Sequence, residues 1–166
     1  MISEILMPKI LVYYHSRTGN TEKMAEAVAE GARTVQGVEI ELNYLVTVEE
    51  LSGFDIIMIG VPTYYHDIPA HVKSLFERVA VQKISLKEKV GAVFGSYGWS
   101  NEAQNRIIEI MKNKFEMRVI EPPLLIKYTP DQNGLEQCKV FGKKVAASLP
   151  SYGKQTKFHD RRPFLM

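Results

Sequence analysis

Between Lys9 and Leu149 the chain alternates short apolar runs with longer segments whose apolar residues recur every three or four positions. A run of five or six apolar residues is the length of a buried strand, and three-to-four spacing is that of a helix with one buried face. Strands separated by helices pair in parallel, because a parallel return needs a crossover of a dozen or more residues. Such crossovers are right-handed and cover both faces of the sheet. The most continuously apolar run, Asp55-Ile-Ile-Met-Ile-Gly-Val61, therefore belongs at the centre of the sheet.

The other elements follow in order. Lys9–Tyr14 reads as the first strand, and Asn20–Thr34 as a helix burying Met24, Val28 and alanines 25, 29 and 32. Val38–Leu42 alternates strictly and reads as a half-exposed edge strand. Val48–Leu51 allows no more than a turn or two of helix. Val72, Leu75, Phe76 and Val79 mark a second full helix, Val90–Phe94 a fourth strand, and Asn101–Phe115 a third full helix. The fifth strand is Arg118–Ile120 with Leu124–Lys127, interrupted by Pro122-Pro123, which points to a sheet edge. The last helix starts near Leu135 and buries Leu135, Cys138, Val145 and Leu149.

Parallel sheets of this kind bind ligands outside the carboxyl ends of their strands. That rule selects the loops after strands one, three and four: His15–Thr21, Pro62–Pro69 and Gly95–Ser100. In the first, Ser16, Thr18, Asn20 and Thr21 carry short hydrogen-bonding side chains, and Gly19 permits a sharp turn close to a ligand. A strand that ends there and opens into a helix aims backbone N–H groups and the positive end of the helix dipole at one point, a site for a phosphate. The same residues also suit an ordinary helix cap. The second loop holds Tyr64, Tyr65 and His66, and the third Tyr97 and Trp99, where turns more often hold Gly, Asn or Ser. Aromatics on neighbouring loops suit a slot that grips a flat ring by stacking. Together with the anion cradle they point to a phosphorylated aromatic ligand.

Composition excludes several other roles. The net charge is +2, but residues 151–166 hold Lys154, Lys157, Arg161 and Arg162 against Asp160, a balance of +3 that leaves residues 1–150 at −1. The basic character belongs to a C-terminal tail, not to a nucleic-acid surface. No apolar run reaches the roughly 20 residues of a membrane span, and the N-terminus lacks the pattern of a secretory signal. A single cysteine excludes an internal disulfide and suits a reducing cytoplasm. The expected organisation is one domain over residues 1–150 and a basic tail over 151–166. The tail's Phe158, Phe164 and Leu165 are expected to dock on a partner or on a second copy in a homo-oligomer.

Ser16-Arg-Thr-Gly-Asn-Thr21 resembles the phosphate loop of flavodoxins, Ser/Thr-x-Thr-Gly-Asn-Thr. Gly60-Val-Pro-Thr-Tyr64 and Phe94-Gly-Ser-Tyr-Gly-Trp-Ser100 look more specifically like the flavodoxin-like domain of flavodiiron proteins. The resemblance spans roughly residues 8–149. It implies a three-layer α/β/α sandwich whose five-stranded parallel sheet has the order 2-1-3-4-5, the order of flavodoxin itself. It also implies flavin mononucleotide (FMN) as cofactor and electron transfer between a reductase and a redox acceptor. A flavodiiron-type protein is one such acceptor, since the chain starts its first strand at Lys9 and shows no preceding diiron domain.

By that resemblance Ser16, Arg17, Thr18, Gly19, Asn20 and Thr21 form the phosphate loop, with Arg17 facing solvent. Pro62, Thr63, Tyr64, Tyr65 and His66 border the isoalloxazine on one side, and Ser96, Tyr97, Gly98 and Trp99 on the other. Either Tyr97 or Trp99 stacks on the ring. In flavodoxins a carbonyl in the second loop, frequently at a glycine, turns toward the flavin. Here Tyr64-Tyr-His-Asp67 has no glycine, and other residues resist positive φ, so a half-reduced flavin is expected to be poorly stabilised. His66 either tunes the flavin or simply faces solvent. His15 is expected to pack under the phosphate loop, and His71 to have no special role.

An NAD(P)H-dependent quinone or flavin reductase is the alternative, although such enzymes carry a longer insertion and a different second loop. A phosphoryl-accepting receiver of the same topology needs an aspartate at the end of the third strand, where this chain has Val61-Pro62.

Overall fold

A computed structural model describes residues 7–63 and 66–149. Strands β1 (Lys9–Tyr14), β2 (Glu39–Asn43), β3 (Ile56–Gly60) and β4 (Val90–Tyr97) alternate with helices α1 (Asn20–Ala32), α2 (Val48–Leu51) and α3 (Ala70–Val81). After β4 come α4 (Glu102–Glu109), a π-helical turn at Ile110–Lys114, β5 (Arg118–Val119), β6 (Leu124–Lys127) and α5 (Gln132–Ala146). All pairings are parallel in the order β2-β1-β3-β4-β5, and β6 continues the β5 edge along the upper half of β4. This is the flavodoxin-like order expected above.

The period of two along each strand divides the core into two layers. Ile10 and Val12 of β1, Ile56 and Met58 of β3, and Ala92 and Phe94 of β4 pack under α1 and α5 with Met24, Val28, Cys138 and Val145. Leu11 and Tyr13, Ile57 and Ile59, and Val93 pack on the other face under α2, α3 and α4 with Leu51, Val72, Leu75, Phe76 and Ile107. Every residue of β3 is buried, as a central strand covered on both faces requires. Helix α3 buries the four residues its periodicity selects, Val72, Leu75, Phe76 and Val79.

Several boundaries differ from the sequence expectation. Strand β4 runs on to Tyr97 because β6 pairs with Phe94 to Tyr97, so Gly95 and Ser96 are strand residues rather than loop. Helix α1 ends at Ala32. Helix α5 starts at Gln132, three residues early, because the Asp131 carboxylate accepts the Gly134 N–H and caps it. The prolines behave as expected: Pro122, after a cis peptide bond, and Pro123 separate β5 from β6 at the sheet edge. The tail at 151–166, including Phe158, Phe164 and Leu165, lies outside the described residues, as do Tyr64 and Tyr65. Among the described residues no helix is long and apolar enough to cross a membrane.

Candidate functional site

The loop after β1 is held at both ends. The His15 N–H donates to Gly60 O (2.9 Å), the last rung between β1 and β3, and the Gly19 N–H donates to Ser16 Oγ (3.1 Å). Gly19 occupies the N-cap of α1 at φ 96, a left-handed conformation that other residues adopt only with strain. No side chain caps the helix. The first-turn N–H groups of Asn20, Thr21 and Glu22 therefore have no partner within it. An ordinary capped helix would have used a Ser, Thr or Asn side chain there. The uncapped turn is what an anion cradle requires.

The three loops converge as the strand-end rule demands. Ser16, Arg17, Thr18, Asn20 and Thr21 line one cavity of about 160 Å³ together with Pro62 and Thr63 from the second loop and Ser96, Tyr97 and Gly98 from the third. Thr21 and Ser96 are buried, and their hydroxyls lie 3.2 Å apart. Arg17 is exposed at the rim. Trp99 is 93% exposed and Tyr97 is half-buried, so the two aromatics that the sequence leaves equivalent differ in place.

The second loop is tied to α4 by charges. His66 is exposed, and its Nδ1 lies 2.9 Å from Glu102 Oε1 and 3.2 Å from Ser100 Oγ. Asp67 Oδ2 accepts from Lys73 Nζ (2.9 Å), and Oδ1 accepts from Arg106 Nη1 (3.1 Å) and from the Ile68 N–H (2.7 Å). The Lys73 hydrogen bond, then the Ile68 N–H, hold the Asp67 carboxyl below the usual carboxylate range. Glu102 and Arg106, one turn apart on α4, thus face His66 and Asp67 respectively. His66 sits at φ 63. The loop therefore holds a non-glycine residue in the left-handed region, at the cost such residues bear there.

Two residues absent from the sequence-based set complete the site. Tyr128, at φ 62, lines the cavity and donates its N–H to Tyr97 O (2.8 Å), with Lys127 Nζ 5.4 Å from its ring centroid. Gln104 is fully buried among Ala103, Ile107 and Ile108 on the inner stripe of α4. A polar residue on an apolar stripe was the available signal for it.

His15 and His71 come together in the structure. Their rings lie 4.4 Å apart, and His71 meets Tyr13 edge-on at 6.3 Å. They border a separate cavity of about 480 Å³ between β1, the β2–α2 loop and α3, which Ser16 shares. Burial holds both imidazoles below the ordinary histidine value, and at His15 the charges of His71 and Arg17 add to it. Cys138 is buried and its thiol is pushed up to about 12. No cluster of His, Cys, Asp or Glu among the described residues can hold a metal ion.

Known proteins fall in line with this geometry. The flavodoxin family model matches residues 12–142. Type A flavoprotein fprA of Rhodobacter capsulatus is 34% identical over 150 residues, which are 84% of this chain but 33% of that protein. A flavodoxin of Clostridium beijerinckii is 35% identical over 141 residues, 81% of this chain and 97% of that protein. The chain thus spans about a third of the first relative and nearly all of the second. Among solved structures, an archaeal flavodoxin superposes with a TM-score of 0.76 at 34% identity, covering 83% of this chain and 96% of its own.

Proposed function

As a member of the flavodoxin family this chain carries FMN, and we propose that it passes electrons from a reductase to a redox acceptor. The observation that carries this reading is the junction, in one cavity, of an uncapped helix start with Pro62 and Thr63 of the second loop and Ser96, Tyr97 and Gly98 of the third. Bound FMN supplies the one- and two-electron chemistry, and the protein positions the cofactor and tunes its potential.

Each loop has a distinct task. The N–H groups of Thr18, Asn20 and Thr21, with the hydroxyls of Ser16, Thr18 and Thr21, hold the phosphate dianion at the positive end of α1. Arg17 stays at the rim as a secondary charge. Pro62, Thr63, Tyr64, Tyr65 and His66 border the isoalloxazine on one side, and Ser96, Tyr97, Gly98 and Trp99 on the other. Trp99 presents an aromatic face that a flat ring can cover, whereas Tyr97 is held beside Tyr128 at the phosphate end of the cavity. The acceptor class the resemblance implies includes flavodiiron-type proteins, and the location is the cytoplasm.

Titrating the apo-protein with FMN and with riboflavin tests the assignment. FMN should quench the fluorescence of Trp99, the only tryptophan. Losing two or more charge-assisted hydrogen bonds should weaken riboflavin at least about a hundredfold. A colourless protein that takes up no FMN sinks the reading. Sustained oxidation of NADH by the pure holo-protein would instead mark an enzyme.

A further inference from the structure

We propose that Gln104 is a positioning residue for the flavin slot: its buried amide joins the second loop to the third and sets their separation. The inference rests on the FMN reading and adds to it a residue outside all three loops.

The two strands that launch the loops part company at Val61. Its N–H donates to Phe94 O (3.1 Å), the last rung of the β3–β4 ladder. Beyond Phe94, β4 stays paired only along its other edge, with β6. The Val61 carbonyl is taken up by Gln104 Nε2 at 2.7 Å, so a side chain from α4 replaces the missing rung. The same nitrogen lies 3.4 Å from Ser96 O, and Gln104 Oε1 accepts from Thr63 Oγ1 at 2.8 Å. One amide thus engages the β3 end, the second loop and the β4 end together. The network continues from Ser96 Oγ to Thr21 Oγ1 at 3.2 Å, reaching the first turn of α1. Gly95 leaves room for it: a Cβ there would overlap the Val61 carbonyl and come within 2.6 Å of Gln104 Nε2.

Chemistry favours a purpose for this arrangement. An amide with no exposed surface on an apolar helix stripe is tolerated only when its hydrogen bonds are made. A hydrocarbon at 104 would satisfy the core, but would leave the Val61 carbonyl and the Thr63 hydroxyl without these bonds. The outer ties from Glu102 and Arg106 to His66 and Asp67 act at the exposed edge of the same loop, where solvent screens them. Gln104 acts from inside.

The test uses the full chain with Gln104→Met, which keeps length and volume but removes both hydrogen-bonding ends. Gln104→Glu keeps the acceptor alone and decides the question by the same readouts if the Met variant does not fold. Hydrogen exchange at the Val61 and Thr63 amides of the apo-protein should quicken at least tenfold. FMN should bind at least tenfold more weakly. The separation between the two one-electron potentials should change by at least the equivalent of tenfold, about 59 mV. Because the amide orients Thr63, Gln104→Met combined with Thr63→Val should lose less affinity than the product of the two single losses. A variant that only melts earlier, with exchange, affinity and separation within twofold of wild type, would show a core residue and overturn the proposal. So would losses that multiply in the double variant. If the wild type itself fails to bind FMN, the cofactor reading falls, while the exchange comparison still decides whether Gln104 holds the loops.

Discussion

Replacing Gly95 by alanine probes the point where the two ring-flanking loops leave the sheet. The added methyl overlaps the Val61 carbonyl oxygen, and its next neighbour, Gln104 Nε2, lies 2.6 Å away. Neither neighbour is the free end of a flexible side chain. The carbonyl belongs to a strand locked between β1 and β4, and the amide is buried and bonded. Relief therefore requires the ends of β3 and β4 to separate or the amide to let go. Overpacking of this kind costs about 1–3 kcal/mol. Losing the Gln104 hydrogen bond adds roughly 0.5–1.5 kcal/mol. A total near 3 kcal/mol corresponds to a fall in Tm of about 6–12 °C for a domain of this size. Calorimetry of the apo-protein at pH 7 measures it, with Gly98→Ala as the control. At Gly98 a Cβ would meet only the Tyr128 ring at 3.4 Å, an ordinary contact. That variant should stay within about 0.5 kcal/mol of wild type. If Gly95→Ala loses less than about 1 kcal/mol, or no more than Gly98→Ala, the tight junction between β3, β4 and α4 is not what holds the loops.

Other perturbations separate local strain, protonation and burial. Gly19→Ala meets no neighbour within 4 Å, so only its φ of 96 is penalised. The strain of about 1–2 kcal/mol should lower stability, and the distorted cradle should weaken FMN binding roughly tenfold; a variant equal to wild type in both shows that the turn does not need glycine. His15 and His71 bind protons less readily folded than unfolded, where the ordinary value is 6.5. The unfolded chain then holds more protons as pH falls, so stability is full above about pH 6.5 and declines below it. Tm recorded from pH 5 to 7.5 should flatten in a His15→Gln/His71→Gln variant, and an unchanged slope refutes their part. Cys138, with its thiol near 12, has on the order of 10⁻⁴ thiolate at pH 8. A disulfide exchange reagent should leave the native protein unlabelled and react fully after denaturation, so rapid native labelling would contradict its burial.

The legible parts of this protein were those written in neighbouring residues. The five apolar runs and the stripe of α3 appear in the sequence because strand and helix periodicities are properties of residues within one or two turns of each other. The tight turn from β1 into α1 was readable as well, since its strand-loop-helix context and its glycine are contiguous. Even the convergence of three distant loops followed, because parallel strands put all their carboxyl ends on one side.

What stayed hidden depends on partners far along the chain. Tyr97 and Trp99 look alike in sequence, but β6 pairs β4 out to Tyr97 and leaves Trp99 beyond the last rung, exposed. Tyr128 enters the cavity just after that same edge strand. His66 was ambiguous until α4 brought Glu102 and Ser100 against it, and His71 was unremarkable until α3 laid it on His15. Gln104 shows the division most plainly: its place on a buried stripe was visible, but its partners at Val61 and Thr63 lie 43 and 41 residues away. Local pattern determined the elements, the face each one buries and the end of the sheet at which the loops gather around a cavity. Only the packed structure decided which side chains wall the slot and which one fastens its loops, because hydrogen bonds and aromatic contacts are chosen by proximity in space.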